Sequence, residues 1–185
     1  MRLVDINTTY EQFLKLNEED KFGYTFQVTY GNFEKRDYFS ETPLEQRSFG
    51  TVKTLMSAAA DNEFALVNEI FKIEDYSLDR VLKRPAYEFL KTLEFICEKI
   101  VAFAEMENTQ LVPQVQGKDY SAQLEQVDFS VFDEEFIQTY SLANGDVTKF
   151  EEVRNTPYEM CFVTLLYQQK TSDFEKLVMQ ASKVK

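Results

Sequence analysis

The chain predicts a mainly α fold, a helical bundle carrying one small N-terminal antiparallel β-hairpin. Three observations predict it. Apolar residues recur at helical spacing behind Thr, Ser and Pro helix starts along most of the sequence. Gly (5) and Pro (4) are scarce among 185 residues, which leaves little room for long disordered linkers. One stretch, residues 22–30, alternates with period two and stands apart from the rest.

Thr8-Thr9-Tyr10-Glu11-Gln12 starts the first helix, with a capping box from Thr8 and Glu11 or from Thr9 and Gln12. Phe22, Tyr24, Phe26, Val28 and Tyr30 then alternate with Gly23, Thr25, Gln27 and Thr29, which predicts a strand. Gly31-Asn32 supplies a two-residue turn, and residues 33–39 the returning strand. A lone hairpin is marginal in water, so it is expected to pack on the helices or to borrow an edge.

Thr42-Pro43-Leu44-Glu45 predicts a capped helix to about Ala60, with Gly50 a soft spot within it. Asp61 is expected to cap a segment bearing Phe64, Val67, Ile70 and Phe71, and Ser77 a short turn to Leu82. Pro85 opens the longest helix, to about Asn108, with an apolar stripe from Phe89 to Phe103. Charges interrupt this stretch at Glu88, Lys91, Glu94, Glu98 and Lys99, so it reads as a helix of a soluble protein and not a membrane span.

Residues 109–127, with Pro113 and Gly117, are expected to form a loop or arm. Phe129 to Ala143 follows as a helix that stops at Asn144-Gly145. Thr148 with Glu151 predicts a short capped helix, Thr156-Pro157-Tyr158-Glu159 opens another, and Ser172 with Glu175 a last one before a fraying basic tail. The two Thr-Pro-x-Glu starts are a shared capping solution and not a repeat. The organisation is one domain: residues 1–108 as its body, 109–127 as the arm, and 128–185 packing on the same core.

Composition bounds the chemistry. There is no His and no Trp, against 17 Phe and 10 Tyr. Lacking His removes the side chain that most often works as acid or base near neutral pH, and the commonest metal ligand. No Ser-His-Asp or Cys-His arrangement is available. Cys97 and Cys161 match no metal or redox spacing and sit in apolar helical patterns, which predicts buried thiols in a reducing compartment. No phosphate-binding Gly-rich loop and no dinucleotide fingerprint occurs. Asp128 and Asp133 lack the spacing and central Gly of a calcium loop. No catalytic residue, metal site or cofactor is therefore assigned. A small carboxylate enzyme stays open as a third reading, because two carboxylates suffice for some hydrolases.

The net charge of −12 argues against nucleic acid and anionic membrane as partners, since both reward Lys and Arg. The N-terminus has no apolar run before Asp5 and does not read as a secretory signal. From Asp119 to Thr148 there are acids and no Lys or Arg, an acidic surface that suits a basic partner. Tyr24 and Tyr30 on the expected strand, and Asp133, Glu134 and Glu135 on the acidic helix, are the candidate partner contacts.

Leu142 to Glu159 has a particular cadence: a helix ending on Ala-Asn-Gly, a short capped helix, and a Pro-led helix continuing through Phe162, Leu165, Leu166 and Tyr167. This resembles the C-terminal part of tailed-bacteriophage tail assembly chaperones and related small phage assembly proteins. The likeness covers about 45 residues and includes neither the 22–39 segment nor, closely, the long helix at 86–108. It implies a non-catalytic protein that binds other phage structural proteins in the host cytoplasm or in the virion, with self-association into an oligomer as an option. A permanent head–tail connector or ring subunit is the alternative.

Overall fold

The structure is a computed structural model and describes residues 4–113 and 132–182. The expected 109–127 arm lies mostly outside the described residues, as do the start of the helix expected at Phe129 and the basic tail. Among the described residues there are nine α-helices: α1 (Tyr10–Leu14), α2 (Glu18–Tyr30), α3 (Phe49–Asp61), α4 (Glu63–Ile70), α5 (Leu78–Leu82), α6 (Ala86–Gln110), α7 (Glu134–Leu142), α8 (Phe150–Asn155) and α9 (Tyr158–Ser182). Short 3-10 turns stand at Leu44–Gln46, Glu74–Tyr76 and Val147–Lys149.

The β-hairpin is not there. Residues 18–30 are helix α2, and no strand occurs among the described residues. The alternation that suggested a strand also satisfies a helix, because its even positions contain i, i+4 pairs. Tyr24 and Val28 share a buried face, while Phe22, Phe26 and Tyr30 share an exposed one. Asn17 caps the helix by accepting from the Asp20 amide at 2.9 Å. Glu18, Glu19 and Asp20 then favour the positive end of the helix dipole. Gly31 ends the helix instead of turning a hairpin.

Other starts shift by a few residues. Thr42-Pro43 opens only the Leu44–Gln46 turn, and α3 begins at Phe49, so Gly50 lies in its first turn. Asn62, not Asp61, caps α4, accepting from the Ala65 amide. Of the two boxes offered for α1, Thr9 with Gln12 forms. Asp146, not Thr148, caps the turn before α8. Ser172 does not restart a helix, since α9 runs through it unbroken.

The chain divides into two compact units, Met1–Leu44 with Thr54–Ala102, and Glu45–Lys53 with Phe103–Lys185. In the first, Phe13, Tyr24, Val28 and Ala86 form a buried cluster flanked by Ile6, Tyr10 and Leu90. In the second, Phe49, Val52, Phe103, Tyr158, Cys161, Phe162 and Leu165 are buried. Ring contacts link Tyr158 to Phe49, Phe103 and Phe162.

Each unit is closed by the same device. In the first, the Tyr10 amide donates to the Arg84 carbonyl and the Ala86 amide to the Thr8 carbonyl, so Thr9 faces Pro85 in an isolated antiparallel bridge. In the second, the Phe49 amide donates to the Thr156 carbonyl and the Tyr158 amide to the Arg47 carbonyl, with Ser48 facing Pro157. The first amides of a helix have no partner within it. Pairing two helix starts satisfies amides on both. The proline occupies the bridge position whose N–H the pattern does not use, so its missing donor costs nothing.

Candidate functional site

The second unit carries an aromatic groove. Asp133 holds the N-cap of α7, its carboxylate accepting from the Phe136 amide at 2.7 Å. That start sets Phe132, Phe136 and Tyr140 at i, i+4 and i+8 on one side. The rings of Phe132 and Phe136 stack at 5.0 Å, and those of Phe136 and Tyr140 at 6.2 Å. Phe150, opening α8, meets Phe136 edge-on at 5.5 Å and Tyr140 at 6.5 Å. A hollow of about 570 Å³ is lined by Phe132, Phe136, Ile137 and Tyr140. These four side chains remain between 37% and 49% exposed. Exposed aromatics grouped around a concavity are the usual makings of a contact surface.

Local backbone chemistry shapes the groove. Helix α7 ends with Asn144 (φ 51°) and Gly145 (φ 79°), and the Gly145 amide donates to the Tyr140 carbonyl at 2.9 Å. A Cβ on Gly145 would lie 3.2 Å from the Tyr140 hydroxyl. Glycine therefore serves both the left-handed conformation and the close approach of the ring.

The same stretch is acidic. Residues 132–155 include Asp133, Glu134, Glu135, Asp146, Glu151 and Glu152 against Lys149 and Arg154. Both cations face acids: Arg154 meets Glu135 at 3.2 Å and Lys149 meets Asp146 at 4.0 Å. Hydrogen bonds from Thr148 hold the Asp146 carboxyl below its usual range.

Behind the groove lies a buried polar cluster. Glu107, 4% exposed, accepts from the Tyr158 hydroxyl at 2.8 Å, from Gln138 Nε2 at 3.2 Å and from the Lys53 ammonium. Gln138 Nε2 also donates to Glu134 at 2.8 Å. Burial pushes the Tyr158 phenol far above its ordinary value, and the Glu107 charge adds to the shift. A carboxylate clamped by three donors is an anchor and not a free nucleophile or base. Gln138 ties the inner face of α7 to that anchor and leaves Phe136 and Tyr140 facing outward.

The candidate contacts fall in different places. Tyr24 is a core residue of the first unit, fully buried, so the surface role expected for it is corrected. Its hydroxyl donates to the Ile6 carbonyl at 2.8 Å and accepts from the Tyr87 amide at 3.0 Å. Burial pushes its pKa up to about 12. Tyr30 is exposed on α2, its ring 4.4 Å from that of Phe26. In the second unit Asp133 caps α7, Glu134 supports Gln138, and Glu135 pairs with Arg154. The candidate contacts read from the sequence do not include the groove aromatics Phe132, Phe136, Tyr140 and Phe150. Their signal is the four-residue spacing of aromatics along a helix whose charges are all acidic.

Cys97 and Cys161 are free thiols, half-buried and buried, and burial raises both pKa values, that of Cys161 to about 11. Among the described residues no cluster of acids and cysteines is placed to hold a metal ion, and no helix is long and apolar enough to cross a membrane. No protein-family profile, no curated protein and no solved structure matches the chain.

Proposed function

We propose that this is a non-catalytic interaction protein of virus assembly, which holds a basic amphipathic segment of a partner in the groove on α7 and α8. The observation that carries the reading is the exposed ladder Phe132–Phe136–Tyr140, backed by Phe150, in a stretch, residues 132–155, that holds six acids against two cations. Apolar anchors of a partner helix would fill the hollow, and Lys or Arg beside them would be attracted by the net negative charge of the stretch that carries it. The resemblance of residues 142–159 to tail assembly chaperones supports a phage structural protein as that partner. Those residues supply the end of α7, all of α8 and the start of α9, and among them Phe150 packs on the rings of Phe136 and Tyr140.

The test is affinity capture from the native host during expression, with wild-type protein and with Phe136→Ala and Tyr140→Ala variants. One basic virion protein, captured by wild type and weakened tenfold or more by either substitution, is the expected result. Capture unaffected by both substitutions overturns the groove. A second reading, a permanent connector or ring subunit, draws on the other exposed ladder, Phe22–Phe26–Tyr30 on α2. Recovery of the protein from mature particles favours that reading, and its absence there favours the chaperone.

A further inference from the structure

We infer that the outer face of α9 is a self-association surface, on which two copies of the chain pair antiparallel about a two-fold axis. Tyr158, Cys161, Phe162 and Leu165 turn the inner face of this helix into the core. On the outside lie Met160, Val163, Tyr167, Lys170, Phe174 and Leu177, with spacings of three, four, three, four and three. The five apolar members are 51–72% exposed. Alternating three and four is the spacing at which one helix presents a continuous seam to another along a supercoil.

Three properties of the seam identify the occupant as a second copy. The first is its own complementarity. With the axis between Tyr167 and Lys170, Met160 faces Leu177 of the second copy, Val163 faces Phe174, and Tyr167 faces Lys170. The small Val163 meets the large Phe174, two flexible apolar chains meet at Met160 and Leu177, and the interrupting ammonium lands on an aromatic ring that attracts it. A parallel pair would instead set Lys170 against its own copy, a like-charge contact. The second is charge. The chain carries −12, so two copies repel over most of their surfaces. Helix α9, however, holds three acids against two lysines and is close to neutral. The third is area. Five side chains exposed to this degree offer on the order of 600 Å² per copy, about 1,200 Å² for the pair, enough for a specific interface. Closed two-fold pairing is the commonest form of self-association.

The test is sedimentation velocity of the full chain over a concentration series. Wild type is expected to dimerise and to dissociate on dilution. Tyr167→Glu and Phe174→Glu should each weaken the dimer about tenfold or more, with helical content unchanged by circular dichroism because both side chains are exposed. The sense of pairing is read by mixing chains carrying Thr164→Cys with chains carrying Thr171→Cys, two positions beside the seam that meet only in the antiparallel pair. Disulfide between unlike chains, above a wild-type blank, supports it. A monomer at every concentration overturns the proposal, as does a dimer that survives both glutamates. Disulfide only between like chains overturns the antiparallel arrangement.

Discussion

The side chain on which the second unit most depends is Glu107, because all three of its donors are buried with it. Truncating one partner of a buried ion pair leaves the other charge without compensation, at a cost of about 3–5 kcal/mol. Lys53→Met should lower unfolding stability by that order in a denaturant titration. Adding Glu107→Leu should restore part of the loss, and not all, since the Tyr158 hydroxyl and the Gln138 amide then lose their acceptor. Tyr158 also gives the protein an alkaline limit. In the unfolded chain it ionises near its ordinary value of about 10, whereas in the folded chain burial and Glu107 hold its proton to higher pH. The folded state therefore binds more protons above that value. Its stability is complete below about pH 10 and falls as pH rises further. Tyr24, raised to about 12 by burial, adds to the same decline. Tyr158→Phe should be less stable at neutral pH yet show a shallower loss above about pH 10, so that the two stability curves converge in denaturant titrations at rising pH.

At the scale of elements, helix ends decide more than helix interiors. Gly145→Ala forces a side chain into φ 79° and toward the Tyr140 ring. It should cost about 1 kcal/mol in stability and weaken capture at the groove, whereas substitutions on the exposed face of α6 should change neither measurably. The long helix from Pro85 and the stop at Asn144-Gly145 were legible in the sequence because a stripe or a turn residue marks each without ambiguity. Residues 22–30 were not, since aromatics at every second position carry both a strand period and an i, i+4 helix period. The signal that separates them lies upstream, in Asn17 as helix cap and the three acids that follow it in the first turn. The groove was half legible. Asp133 to Glu135 are marked by charge, but no pattern in the sequence shows that α7 buries Gln138 and Thr139 and leaves its rings exposed.

At the scale of the whole molecule, the two proposed contacts should respond to salt in opposite ways. Capture of a basic segment on the acidic groove is an attraction that ions screen, so its association rate should fall as salt rises. Pairing through α9 brings together two chains of −12 across a nearly neutral seam, so salt should tighten it by screening their repulsion. Stopped-flow binding and sedimentation over one salt series would check both. The twin bridges bear on how the chain is made. Residues 45–53 leave the ribosome early, yet their unit holds Phe103 to Lys185, and the carbonyl and amide they offer at Arg47 and Phe49 wait for Tyr158 and Thr156. Chains grow at about 5–20 residues per second, so that wait lasts on the order of 5–20 seconds. Throughout it Phe49 lacks the Tyr158 ring that stacks on it in the folded unit. The interval before Pro157 emerges is when a nascent chain is most open to misassembly, and a stalled or truncated product ending ahead of α9 should be the species that cellular proteases remove first.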